Sequence, residues 1–161
     1  MNSSASVSKY IVALELLERA IELYMRGDSY YSALHLGGAA EEVLAVYVRA
    51  MPPSVSSNQK SAADQFKDAF LAFSSPASSE ERDETEKWIH DRMYDAKNSV
   101  KHKRGKKDEV VGFDPKQEAY DVIDMAISTY FQLFSHLNLP YLECIQNFDA
   151  KDRNGQSGGG P

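Results

Sequence analysis

From residue 7 to residue 137 the apolar side chains recur at three- and four-residue steps, and no stretch alternates apolar with polar as a strand would. A period near 3.6 confines the chain to helices, and the breakers between periodic runs set their number. In the first run, from about Val7 to Arg26, Ile11, Leu14, Leu17, Ile21 and Tyr24 share one face, while Glu15, Glu18, Arg19 and Glu22 mostly take the other. Gly27 is a natural stop and Asp28 an N-cap for the next helix, so the first two helices should form an antiparallel hairpin.

The second run, about Ser29 to Met51, carries Leu34, Ala40, Val43 or Leu44, Tyr47 and Val48, with Gly37-Gly38-Ala39-Ala40 in its middle. Each helix-interior glycine costs about 1 kcal/mol against alanine, so two together imply a close approach by a neighbouring helix or a kink. Pro52-Pro53 ends this helix. Ala62 to Phe73 reads as a short helix with Phe66, Phe70 and Phe73 on one side, assigned to the core. After a serine-rich breaker, Ser79 offers an N-cap, and Glu80, Glu81, Asp83 and Glu84 suit the positive end of a helix dipole.

In this fourth helix Ile89, Met93, Ala96 and Val100 form the buried stripe, and its far end is a basic segment. Pro115 opens a fifth helix to about Leu137, whose apolar side includes Ala119, Val122 or Ile123, Ala126, Ile127, Tyr130, Phe131 and Phe134. Leu139-Pro140 stops it, and Tyr141 to Phe148 is a further short helix. The expected architecture is all-α, an up-and-down helical bundle of four to five main helices. A single domain should cover 1–150, and 151–161 has the composition of a flexible tail.

Charge points to one segment. Lys97, Lys101, Lys103, Arg104, Lys106 and Lys107 lie close together, and removing these six cations from a chain of net charge −6 leaves −12. A local inversion of sign of this kind suits an anionic partner, whereas the overall acidity argues against a general nucleic-acid coat protein. The bland explanation is a dipole-matched helix end followed by a solvated loop. Cys144 is the one cysteine, which excludes an internal disulfide framework and fits a cytoplasmic protein. The N-terminal apolar run is too interrupted for a signal peptide, and a membrane span is not expected. His35, His90, His102 and His136 are dispersed without metal-ligand spacing, so neither a metal nor a cofactor is expected.

On the fourth helix Asn98 and His102 are four apart and share a face, with Lys97 and Lys101 on an adjacent line. With the apolar stripe turned inward, all of these polar groups should look outward. Lys97-Asn98-Ser99-Val100-Lys101-His102, together with the preceding hairpin and the Gly37-Gly38-Ala39-Ala40-Glu41-Glu42 run, resembles the HEPN superfamily. That family's mark is an Arg, four to six intervening residues and a His, with a polar residue directly after the Arg. Lys97 stands where the family has Arg, and an ammonium does not reproduce the two-point grip of a guanidinium on phosphate.

The resemblance implies metal-independent RNA cleavage at a homodimer interface. In it His102 acts as general acid or base, Lys97 steadies the scissile phosphate and Asn98 orients either His102 or the phosphate. Lys101, Lys103, Arg104, Lys106 and Lys107 then draw in the RNA backbone. Three readings follow. One is a non-catalytic module that binds RNA, a nucleotide, or a protein partner such as a nucleotidyltransferase or an antitoxin. Another is an active ribonuclease of the toxin or defence type. The third is a purely structural assembly protein.

Overall fold

The computed structural model describes residues 6–56, 58–102 and 109–156, the last six by backbone alone. These residues form an all-helical bundle: α1 (Lys9–Arg26), α2 (Tyr30–Arg49), α3 (Ala62–Ser74), α4 (Ser79–Ser99), α5 (Pro115–Phe134) and α6 (Glu143–Gln156). Among the described residues no strand forms and no helix is long and apolar enough to cross a membrane.

Gly27 closes α1 in the left-handed region at φ 72°, where its N–H donates to the carbonyls of Leu23 and Tyr24 at 3.1 Å. Glycine adopts that geometry without a Cβ penalty. The cap of α2 is Ser29 rather than Asp28, which instead pairs with Arg26 at 2.9 Å. Likewise Ser78, not Ser79, caps α4, its hydroxyl accepting from the Glu81 N–H at 3.1 Å.

The main core lies between α1, α2, α5 and α6. Leu14, Leu17 and Ile21 meet Leu34, Leu44 and Val48, then Ile123, Tyr130 and Leu133, with Ile145 and Phe148 closing the far side. α2 packs most extensively, against α5 on one side and α1 on the other. Gly37 allows this: a Cβ there would lie 3.0 Å from Cγ1 of both Val122 and Ile123 and 3.7 Å from the Ala20 Cβ. Tyr130 is wholly buried, and its hydroxyl donates to the Pro140 carbonyl at 2.9 Å.

α3 and α4 form a flank that supplies Ala96 alone to the buried residues of this cluster. Much of what attaches the flank is polar. Arg49 of α2 grips Asp64 of α3 with two N–H groups, at 2.8 and 3.0 Å, while Asp64 completes a reciprocal cap with Ser61. The Ala62 N–H donates to Thr129 Oγ1 of α5 at 3.2 Å, and Arg92 of α4 reaches Glu118 of α5 at 3.3 Å.

Besides the two caps, three sequence expectations change here. The phenylalanine stripe of α3 is not core: Phe66 is 54% and Phe73 89% exposed, and the helix buries Ala63 and Leu71 instead. α3 sits at the edge of the bundle, where small side chains permit approach, and Phe70 pairs with Trp88 of α4 with ring centroids 5.6 Å apart. α4 ends at Ser99, before most of the basic segment. Asn98 and Ser99 favour helix ends over interiors, and Lys97 and Lys101 are like charges four apart. Finally, α6 continues through Gln156, so 151–156 is helical where composition suggested a flexible end.

Candidate functional site

Lys97 does not look outward. It is one of three side chains that α4 buries, with Ile89 and Ala96, and it is only 2% exposed. The backbone of α2 makes room for it: a Cβ on Gly38 would stand 3.1 Å from Lys97 Cδ and 3.4 Å from its Cβ. The second of the paired glycines thus faces a lysine stem, as the first faces α5.

At the end of that stem, Nζ lies 2.7 Å from Glu42 Oε1, 3.8 Å from Glu41 Oε2 and 4.0 Å from the centroid of the Tyr94 ring. Adjacent carboxylates on one helix diverge, yet both reach the same ammonium because it enters between them. Glu42 also meets Lys101 at 3.5 Å. Glu41 is buried, and its Oε1 has no hydrogen-bond partner among the described residues.

The electrostatics follow from this burial. Loss of solvent raises the Glu41 pKa above the ordinary carboxylate range, and the opposing pull of Lys97 and Arg49 does not cancel it. For the more exposed Glu42, burial also raises the pKa, but Lys97 and Lys101 together outweigh it and the net shift is downward. Burial, and then the negative charge of Glu41, pushes the Tyr94 hydroxyl up to about 12. Tyr94 is therefore a neutral ring facing the cation, in the arrangement favoured by a ring quadrupole.

Asn98 and His102 occupy the turn that follows. The Asn98 carbonyl accepts from the Lys101 N–H at 3.1 Å and the His102 N–H at 3.0 Å, so Asn98 positions the histidine through its backbone. His102 is exposed and Lys101 half-buried. Both line an open groove of about 830 Å³, with Tyr31, His35 and Leu36 of α2 opposite. Lys103, Arg104, Lys106 and Lys107 lie outside the described residues.

The structure thus keeps Asn98, Lys101 and His102 together at the end of α4 and withdraws Lys97 from them into the α2–α4 seam. From the sequence, Tyr31 is assigned to no site, and His35 is weighed only as a metal ligand. These two are four apart on α2, a spacing that places them on one face, and this was the available signal. No protein-family model matches this chain, and neither does any curated protein or solved structure.

Proposed function

We propose that this chain is a non-catalytic RNA-binding module of HEPN-like design, in which the motif's first cation has become a structural one. The observation that carries this reading is the placement of Lys97, 2% exposed and 2.7 Å from Glu42. A cation that steadies charge on a scissile phosphate must reach it in the transition state. This ammonium is both covered by protein and neutralised by carboxylates. Affinity then comes from Lys101 and from Lys103, Arg104, Lys106 and Lys107, through backbone attraction that does not depend on base sequence.

The test is to incubate purified protein with single-stranded RNA in the presence of a chelator. Intact RNA is expected for the wild type and for Lys97→Arg, together with binding that weakens as salt rises. Each phosphate contact removed by neutralising Lys103, Arg104, Lys106 or Lys107 should lower the magnitude of the log–log salt slope by about 0.7. Cleavage that survives chelation and disappears in His102→Ala would instead support the ribonuclease reading. Binding indifferent to all four neutralisations would remove RNA as the ligand.

A further inference from the structure

We infer that the groove between α2 and the end of α4 seats an unpaired nucleobase of single-stranded RNA, stacked on Tyr31; this rests on the RNA-binding reading above. The groove combines an apolar floor of Leu23, Leu36 and Val100 with a rim that includes Ser32, His35 and His102. At about 830 Å³ it falls within the range of about 300–1,000 Å³ typical of small-ligand sites. Flat apolar faces with polar edges are what a base presents, and this floor and rim complement them.

Tyr31 is the element the fold does not require. It is 46% exposed, whereas the neighbouring Tyr24 is buried and packs against Tyr30 and Phe148. The Tyr31 ring is nonetheless braced by Phe113 at 67° and 6.2 Å between centroids. An aromatic held at the mouth of an apolar hollow is the stacking platform used by proteins that bind single strands.

The rim favours a base over a phosphate. Lys101, the one lysine among the described residues that line the groove, shares its charge with Glu42 at 3.5 Å. The Ser32 hydroxyl accepts from Ser29 at 2.7 Å, which leaves its own proton for an acceptor on a base edge. In this arrangement the base turns inward and the backbone phosphates stay outside the groove.

The experiment compares two polyanions, an oligoadenylate of about twelve nucleotides, within the single-strand site sizes known for such platforms, and inorganic polyphosphate of matching charge. Tyr31→Ala should weaken oligoadenylate binding about tenfold and leave polyphosphate binding unchanged, while Tyr31→Phe and Tyr31→Trp keep both. Circular dichroism establishes that each variant is folded. If the wild type binds both polyanions and Tyr31→Ala loses neither, or loses both equally, the groove is not a base site although the RNA-binding reading stands. If the wild type binds neither, both fall together.

Discussion

Gly38 and Lys97 are fitted to one another across the seam between α2 and α4: the absent Cβ of the glycine is the space in which the lysine stem lies, 3.1 Å from where that carbon would be. The two residues are far apart in sequence and belong to helices that share little apolar surface. Their fit explains how a long cationic side chain is buried without a break in either helix.

Alanine at these glycines should separate two kinds of close approach. Gly37→Ala meets branched side chains of α5 at 3.0 Å, so overpacking of about 1–3 kcal/mol exceeds the helix-propensity gain of about 1 kcal/mol. Gly38→Ala meets an unbranched stem that can shift, and its loss should be the smaller. Urea unfolding midpoints of the two variants check the order, and a more stable Gly37→Ala would contradict the packing described.

Lys97→Met should be costly, on the order of 3–5 kcal/mol, because it leaves Glu41 and Glu42 without their shared cation. Adding Glu41→Gln should recover part of that loss, so the double variant is less unstable than the sum of the two singles. A double-mutant cycle read by thermal or urea unfolding measures the coupling.

Glu41 predicts an unusual pH response. Its folded pKa is raised, so the folded state holds the proton more tightly, and its ionisation costs stability as pH rises from the ordinary value of 4.5 through the folded value. Glu42 and Asp64, whose folded pKa values are lowered, act in reverse: their stabilisation is present above their ordinary values and is lost on acidification. Glu41→Gln should therefore be at least as stable as the wild type at pH 7, with any advantage fading by pH 4.5. Unfolding midpoints measured across this interval provide the check.

Cys144 should be a sluggish nucleophile. Burial, with Glu18 nearby, pushes its thiol from 9.0 up to about 11, which lowers the thiolate fraction at pH 8 roughly a hundredfold. Alkylation by iodoacetamide should accordingly be slow in the native protein and fast in urea. Equal rates would show that the thiol is not held in this environment.

Phe73→Ser should leave stability within about 0.5 kcal/mol of the wild type, since the ring is 89% exposed. Leu71→Ala, two residues earlier and 3% exposed, should cost about 2–5 kcal/mol. Thermal unfolding of the pair reports which face of α3 is the packed one.

Helix limits are legible in the sequence where a residue has one dominant local effect. Gly27, Pro52 and Pro115 mark the ends of α1 and α2 and the start of α5 because left-handed geometry or a missing N–H acts within a residue or two. The face of α3 is not legible, since spacing shows that Phe66, Phe70 and Phe73 lie together without showing which side is covered. Lys97 is the sharper case. Its position beside Ala96 on a weakly apolar helix suits either direction, and its burial depends on partners contributed by α2. A clue does exist in the order Gly37-Gly38 followed one turn later by Glu41-Glu42: small residues leave room on a face that ends in carboxylates, which a long cation from another helix can fill. Tyr31 and His35 become a site only when the end of α4 is brought opposite them.

The polar attachment of α3 and α4 makes this flank a candidate for opening on its own, below the free energy of global unfolding. Water can replace much of what holds it, whereas nothing in water replaces the contacts between α1, α2, α5 and α6. Val100, Lys101 and His102 form one wall of the groove, and that wall would leave with the flank. A ligand bridging Tyr31 and His102 would therefore act as a clasp, slowing amide exchange along the entire length of α4, including turns it never touches.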